Sequence, residues 1–265
     1  MYQKYWNFNE KPFENTPNPR FLYHSAEHDE AYIRLLYAIN SLKGAAMLSG
    51  EYGCGKTLLM HTLINELPKE QYNVAFLTNP RWSANELIGE ILYQLQIDYT
   101  STVRMDMLHA LNDNLVATFK KGMHTIIIID EAQTINQKET FEELRMLLNF
   151  QFNDRFLLTL LLIGQPELKD IVADIPQLEQ RIAVRYHLRR FDLHDTEQYI
   201  NYRLSKAGAR DQIFTTGAIH EIHKYSQGIP RKINNICDLS LLLGFGQKLT
   251  KLESEHIISI INSEG

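Results

Sequence analysis

The chain has 265 residues, of which 44% are hydrophobic and 22% are charged. This composition is typical of a globular protein with a sizeable core and either one large domain or two smaller ones. The apolar runs at 126–129 and 156–163 are too short to cross a bilayer, and the polar, aromatic start lacks the apolar stretch of a secretory signal. Two cysteines, Cys54 and Cys237, cannot form a disulfide framework. We therefore expect a cytoplasmic protein.

The net charge is −5, and the acidic excess is confined to residues 1–189. Residues 190–265 carry nine basic and nine acidic side chains. Neither part is the basic domain expected of a strong nucleic-acid binder, because lysine and arginine contacts to phosphates supply most non-specific affinity for DNA. DNA is therefore a disfavoured partner.

Strands and helices are predicted to alternate over the first 190 residues. Short apolar or β-branched runs predict buried parallel strands at 45–49, 74–79, 125–130, 156–164 and 184–189. Helical periodicity predicts four helices. They begin after residue 56, at a capping box formed by Ser83 and Glu86, at about residue 102 and at residue 139, and the last two run to about 121 and to 152. This alternation indicates an α/β domain over 1–190, with a parallel sheet between two layers of helices.

The pattern becomes helical throughout after residue 191. Four helical segments, several of which end in glycine, are predicted at 196–208, 215–228, 229–246 and 253–265. We interpret residues 191–265 as a small helical domain that follows the α/β domain.

The stretch Gly50 to Thr57, "GEYGCGKT", fits the pattern G-x-x-x-x-G-K-[ST] between a predicted strand and a predicted helix. A glycine-rich loop at a helix N-terminus directs backbone N–H groups and the positive end of the helix dipole at one point, where phosphates bind. Lys56 is predicted to reach the β- and γ-phosphates of ATP, and the Thr57 hydroxyl to bind Mg²⁺. The predicted nucleotide-binding residues are Gly50, Glu51, Tyr52, Gly53, Cys54, Gly55, Lys56, Thr57 and Leu58.

Two adjacent carboxylates follow the run "IIIID". Asp130 ends the strand and is predicted to hold Mg²⁺, directly or through water, while Glu131 is placed to polarise the attacking water. An exposed acidic turn is the alternative. The phosphate-loop pattern earlier in the chain favours the catalytic interpretation.

With these motifs and the helical C-terminal part, the chain resembles AAA+ ATPases. More narrowly, the start "WNFNEKPFENTPNPRFLYHSAEHDEAYIRLLYAI", "LLLIGQPEL", "QLEQRIAVRYHL" and "GIPRKINNIC" resemble the ExeA/GspA general-secretion ATPases. The resemblance runs over nearly the whole chain. It implies a P-loop AAA+ domain with a helical lid, and a homo-oligomer that hydrolyses ATP to ADP and phosphate. Transposition regulators of the TniB/TnsC type share much of this core.

The resemblance also implies roles for three further residues. Gln165 falls at the sensor 1 position, which in AAA+ proteins is more often Asn, Thr or Ser. Arg181 falls where the trans-acting arginine finger is expected, with Arg185 as the alternative, and Arg231 falls at sensor 2 on the lid. Arginine suits these roles because it is always charged and donates in a planar fork.

The aromatic start remains open between two interpretations. In the resembled family this segment wraps the base of the nucleotide, but Phe13, Phe21 and Tyr23 are equally suited to packing without nucleotide contact. Full-length ExeA-type proteins also continue into a transmembrane helix and a periplasmic part, so this sequence is either an excised domain or a short member with separate membrane partners.

Three functions are compatible with these features. The favoured one is an oligomeric assembly factor of a secretion or pilus-type envelope system, peripheral to the inner membrane through its partners. The second is a DNA-associated regulator of transposition, against which the acidic balance counts. The third is a nucleotide-binding scaffold with little turnover, which the complete set of catalytic residues disfavours.

Overall fold

A computed structural model of the chain describes residues 1–78 and 80–264, which form two compact units. The sheet unit comprises Asp29–Gly50 and Met60–Leu188. The helical unit comprises Met1–His28, Glu51–Leu59 and the residues from Arg189 onwards. The predicted division of the chain at residue 190 stays a prediction. Among the described residues, no helix combines the length and the apolar character needed to cross a membrane.

The strands are β1 (Ala45–Gly50), β2 (Tyr72–Leu77), β3 (His124–Ile129), β4 (Gln151–Phe152), β5 (Arg155–Phe156), β6 (Leu158–Gly164) and β7 (Ile182–Leu188). The helices are α1 (Tyr2–Tyr5), α2 (Ala26–Asn40), α3 (Lys56–Glu66), α4 (Ala84–Gln94), α5 (Arg104–Lys120), α6 (Lys138–Leu147), α7 (Glu167–Ala173), α8 (Pro176–Glu179), α9 (Leu193–Lys206), α10 (Thr216–Ser226), α11 (Pro230–Gln247) and α12 (Ser254–Glu264). Short 3-10 turns lie at Pro19–Phe21 and Ala132–Thr134.

Within the described residues, five strands pair in parallel in the order β2-β3-β6-β1-β7. β3 and β6 are buried along their whole length, as expected of central parallel strands that are covered on both faces of the sheet. Ile127 and Ile129 join a core cluster with leucines of α4, α5 and α6. On the opposite face, Ile126 and Ile128 are equally buried. The predicted parallel α/β architecture is confirmed.

The parallel pairing brings the carboxyl ends of the central strands to one edge of the sheet. Ser49 of β1 pairs with Gly164 of β6, and Ile129 of β3 pairs with Leu162. The residues that follow β3 and β6 therefore emerge beside each other, in the position where open α/β sheets bind ligands. The chain leaves β1 at Gly50, where an added Cβ would lie 2.8 Å from the Leu188 carbonyl oxygen, so this position has no room for a side chain.

Most predicted elements match the structure to within two or three residues. The capping box at α4 is present: the Ser83 N–H donates to Glu86 Oε2 at 2.8 Å, and the Glu86 N–H donates to Ser83 Oγ at 3.4 Å. The predicted strand 74–79 is β2, and its predicted last residue, Asn79, lies outside the described residues. Gly265, the predicted end of the last helical segment, lies outside them as well.

The helical periodicity predicted to continue to residue 152 stops at Leu147. A β4–β5 hairpin follows, which the sequence analysis missed. Asn153 and Asp154 both have positive φ, 48° and 61°, as a two-residue hairpin turn requires. Asn and Asp tolerate this conformation better than most residues, so the dipeptide was the available signal.

The helical unit has its own core, in which N-terminal aromatic rings pack among the C-terminal helices. The indole N–H of Trp6 donates to the Leu241 carbonyl at 2.9 Å. The buried Arg203 donates to the carbonyls of Pro12 at 2.6 Å and Glu14 at 3.0 Å. These bonds hold the first residues of the chain against α9 and α11.

The buried His124 provides a test of the sheet unit. Its Nε2–H donates to Thr159 Oγ1 at 2.9 Å, and the Thr159 hydroxyl donates in turn to the Lys43 carbonyl at 2.7 Å. Burial lowers the pKa of His124 to about 4, so the ring is neutral in the folded protein. The unfolded chain takes up a proton near its ordinary pKa of about 6.5, and stability is therefore lost as the pH falls from about 6.5 towards 4.

We expect wild-type protein to lose about 2 kcal/mol more stability than His124→Leu between pH 7.5 and pH 5.0, since the variant lacks this proton linkage. Urea unfolding at the two pH values measures the difference. His109→Leu, which replaces an exposed histidine of α5, is the matched control and should keep the wild-type pH dependence. An identical pH dependence in His124→Leu would contradict the prediction.

Candidate functional site

The phosphate loop (Gly50–Thr57) turns sharply between β1 and α3. Gly53 and Gly55 have φ of 83° and 95°, a conformation that non-glycine residues rarely adopt. An added Cβ at Gly53 would lie 2.7 Å from the Arg231 Cβ. Lys56 is 5% exposed and its ammonium donates to the Glu51 carbonyl at 3.0 Å, so its side chain extends back over the loop.

His28 supports the phosphate loop from the side. Its Nε2 lies 3.0 Å from the Cys54 carbonyl oxygen, and its Nδ1 lies 2.8 Å from Ser25 Oγ. The Cys54 thiol is buried, and burial raises its pKa to about 11. The thiol is therefore uncharged near neutral pH, which fits packing rather than redox chemistry.

Two arginines of the helical unit bind the variable side chains of the loop. The Arg231 guanidinium lies 4.9 Å from the centre of the Tyr52 ring and donates to the Tyr52 hydroxyl at 2.5 Å. Its backbone N–H also donates to the Gly53 carbonyl at 3.2 Å. Arg190 donates to the Glu51 carboxylate at 2.9 Å. The predicted sensor 2 arginine thus lies directly against the loop.

An apolar cavity adjoins the phosphate loop within the helical unit. Its walls come from the N-terminal segment, the loop, and the start of α11: Phe21, Leu22, Tyr23, His28, Cys54, Gly55, Leu58, Phe191, Tyr199 and Pro230. The cavity volume is about 30 Å³, which is room for one or two water molecules, so a planar base fits only if the aromatic walls move apart. Phe21 and Tyr23 also pack within the unit, against Arg203 and Phe191 respectively, so the two interpretations of the aromatic start both remain.

The second group of predicted residues lies at the carboxyl edge of the sheet. Asp130 is 3% exposed and follows β3, and its Oδ1 accepts the Glu131 N–H at 2.9 Å. Glu131 has a φ of 54°, in the left-handed region. Its carbonyl accepts both the N–H and the hydroxyl of Thr134, each at 2.8 Å. The two carboxylates are therefore built into a tight turn rather than an exposed acidic loop.

Gln165 lies beside Glu131, and a second glutamine joins them. The Gln165 side-chain amide donates to Glu131 Oε2 at 3.3 Å. Gln133 donates to the same oxygen at 2.5 Å. Sequence reasoning missed Gln133, although it stands two residues after Glu131 in "DEAQ". We call Asp130, Glu131, Gln133 and Gln165 the acidic edge.

The two candidate finger arginines make hydrogen bonds within the sheet unit. Arg181 donates to the Leu148 carbonyl at 3.2 Å and to Asn149 Oδ1 at 3.0 Å. Arg185 donates to the Glu179 carboxylate at 3.0 Å and to its carbonyl at 2.6 Å. Neither contact tests a role in a neighbouring subunit, and the choice between the two stays a prediction.

Residues 39–172 match the AAA domain family. This range is about half of the chain and contains the phosphate loop and the acidic edge. The chain belongs to the AAA domain family. General secretion pathway protein A of Aeromonas hydrophila is 36% identical over 255 residues, which cover 95% of this chain and 46% of that protein. The predicted resemblance to the ExeA/GspA group is confirmed, and this AAA chain spans about half the length of that relative.

Solved structures agree with the AAA fold. The Aeropyrum pernix ORC2 protein in ADPNP-ADP complexes aligns with a TM-score of 0.70 and 18% identity, covering 94% of this chain and 71% of that one. The Thermotoga maritima RuvB Holliday junction branch migration motor aligns with a TM-score of 0.62 and 17% identity, covering 96% and 73%. At these identities the likeness shows the fold alone. The predicted AAA+ fold with a helical C-terminal region is confirmed.

The phosphate loop yields a direct test with Lys56→Ala. We predict that Mg-ATP stabilises the wild-type protein and that Lys56→Ala, which removes the ammonium of the loop, loses this stabilisation. That stabilisation is about 2.7 kcal/mol at a hundredfold excess over Kd. Thermal unfolding with increasing Mg-ATP measures it. Lys69→Ala, at an exposed lysine, should respond as wild type does. An ATP-induced shift that survives in Lys56→Ala would overturn this role for the lysine.

Proposed function

We propose that this AAA chain binds Mg-ATP and hydrolyses it to ADP and phosphate as a homo-oligomer. The observation that carries the proposal is the Glu131 carboxylate, held by amide donors directly after the buried Asp130. A phosphate loop alone supports nucleotide binding. An oriented carboxylate beside an acidic metal ligand supports hydrolysis as well.

The binding part of the proposal assigns the phosphates to the loop. Backbone N–H groups of 50–55 and the Lys56 ammonium bind the phosphate oxygens, aided by the positive end of the α3 dipole. The Thr57 hydroxyl and the Asp130 carboxylate are oxygen donors of the kind Mg²⁺ prefers, so the residues present fit this ion. When bound, Mg²⁺ neutralises negative charge on the β- and γ-phosphate oxygens. The base lies beside Leu58, where the walls of the small apolar cavity must move apart to admit it.

In the hydrolytic part, Glu131 accepts a proton from the attacking water. Gln165, at the strand end beside it, contacts the γ-phosphate or the water as sensor 1. Arg231, already against the loop, provides positive charge from the helical unit as sensor 2. Arg181 provides the remaining positive charge to the site of a neighbouring subunit. The assignments of Gln165, Arg231 and Arg181 follow from the need to stabilise negative charge that develops during phosphoryl transfer.

The biological role is proposed from the 36% sequence identity to General secretion pathway protein A. We place the chain in the cytoplasm as an assembly factor of a secretion or pilus-type envelope system, peripheral to the inner membrane through its partners. The alternative, a DNA-associated regulator of transposition, is disfavoured by the net charge of −5. Measurements of ATPase activity with and without duplex DNA, and of DNA binding, at physiological salt, separate the secretion role from the transposition role. Tight, ATP-dependent DNA binding would favour the alternative.

Glu131→Gln tests the catalytic base. The amide keeps the shape of the side chain but cannot take a proton, so we expect normal Mg-ATP binding and at least a hundredfold slower turnover, since general bases contribute about 10²–10⁴ in rate. Phosphate release measures turnover, and thermal unfolding with Mg-ATP measures binding. Glu139→Gln, at an exposed position of α6, is the matched control. Wild-type turnover in Glu131→Gln would show that another residue activates the water.

A trans-acting Arg181 makes hydrolysis depend on neighbouring subunits. Specific activity should therefore rise with protein concentration. Arg181→Ala should bind Mg-ATP yet hydrolyse it about 10³–10⁵-fold more slowly. Mixing Arg181→Ala with Lys56→Ala should restore part of the activity, because one interface then pairs an intact loop with an intact arginine.

Restored activity cannot come from either variant alone, so the mixture separates a trans role from a loss of the contacts that Arg181 makes to Leu148 and Asn149. Arg185→Ala, at the alternative finger position, is tested in the same way. A mixture that stays inactive while oligomers form would contradict the assignment of Arg181.

A further inference from the structure

Gln133 connects the two residues of the acidic edge that the proposed reaction uses. Its side-chain N–H donates to Glu131 Oε2 at 2.5 Å. Its side-chain oxygen accepts the backbone N–H of Gln165 at 3.0 Å. One amide group therefore binds the carboxylate after β3 and the backbone after β6 at the same time.

A third bond closes this arrangement, because the Gln165 side chain also donates to Glu131 Oε2 at 3.3 Å. Both amides thus bind the same carboxylate oxygen, and Oε1 of Glu131 takes part in none of these bonds. Two donors on one oxygen hold that oxygen beside the amides and restrict rotation of the carboxylate. Charge-assisted bonds of this kind are stronger than bonds between neutral groups.

The space around Gln133 is shaped for this amide. Gly164, the last residue of β6, has no Cβ, and an added Cβ would lie 2.6 Å from Gln133 Oε1. A side chain at position 164 would therefore displace the Gln133 amide from the Gln165 N–H. The glycine and the amide oxygen fit each other at the strand end.

The Glu131 backbone is held as firmly as its side chain. A non-glycine residue in the left-handed region is strained and persists where its surroundings determine its conformation. Here Asp130 binds the Glu131 N–H and Thr134 binds its carbonyl. With the backbone fixed on both sides, the side-chain amides decide where the carboxylate points.

We propose that Gln133 is a positioning residue. It orients the Glu131 carboxylate to accept a proton from the attacking water, and it holds Gln165 beside that carboxylate. The proposal rests on the proposed ATP hydrolysis. In this role Gln133 acts through its bonds to Glu131 and Gln165. A misplacement of about 1 Å can cost a reaction about 10²-fold, so the loss of this amide should lower kcat by about 10–100-fold.

Gln133→Met tests the proposal, because methionine keeps the length and volume of the side chain but neither donates to Glu131 nor accepts from Gln165 as an amide does. The matched control is Gln137→Met at an exposed position. We expect a 10–100-fold lower kcat in Gln133→Met with an unchanged Mg-ATP affinity. In a Glu131→Gln background, Gln133→Met should cause no further loss, since residues that act through one group are non-additive.

Hydrogen exchange at the Gln165 backbone amide gives a readout that does not depend on turnover. Exchange should be faster in Gln133→Met than in wild type and unchanged in Gln137→Met. If Gln133→Met does not fold, Gln133→Leu serves instead, because its side chain also neither donates to Glu131 nor accepts from Gln165. That variant should lose turnover and exchange faster at Gln165.

Wild-type kcat in Gln133→Met, or a loss of ATP affinity that accounts for the whole effect, would overturn the proposal. So would an equal further loss in the Glu131→Gln background. An inactive wild-type chain would overturn the proposed function and the catalytic part of this inference together. The exchange rate at Gln165 would then still decide whether Gln133 holds the acidic edge.

Discussion

The parallel register of β3, β6 and β1 is the constraint on which the acidic edge and the start of the phosphate loop depend. Pairing of Ile129 with Leu162 sets Glu131 level with Gly164, and pairing of Ser49 with Gly164 sets Gly50 level with Gln165. A shift of one residue in either pair would reverse the faces of a strand that is buried on both sides. The burial of the apolar runs therefore determines the strand register, and the register determines where the functional residues follow the strands at the edge of the sheet.

Much of this arrangement could be predicted because it rests on local patterns. Ile126–Ile129 can form little else than a buried strand, and "GEYGCGKT" after an apolar run specifies a turn with glycine where φ is positive. Asp130 and Glu131 were identifiable because carboxylates that directly follow a buried strand, in a chain with a phosphate-loop pattern, are suited to binding Mg²⁺ and activating water. The strand ends of the central sheet differ from prediction by one or two residues, since frayed ends carry little energy.

The features that escaped prediction depend on residues distant in sequence. Gln133 is an ordinary polar residue until Gln165, 32 positions later, brings its backbone N–H within reach. The bond between Trp6 and Leu241 joins residues 235 apart, and no periodicity in either segment indicates it. The β4–β5 hairpin was missed for another reason, because Phe150 and Phe152 continue the apolar spacing of α6 beyond its end.

The long reach of the loop contacts has a consequence for biosynthesis. Glu51 is bound by Arg190, and Tyr52 by Arg231, residues that the ribosome adds 139 and 179 positions later. Domains generally fold as units during synthesis, at about 5–20 residues per second. The loop and the N-terminal segment must therefore wait about ten seconds or longer for α11 to emerge. During this delay the apolar side chains of the first 28 residues lack their final partners in the helical unit. Nascent chains of this protein thus expose these apolar side chains until α11 has been synthesised.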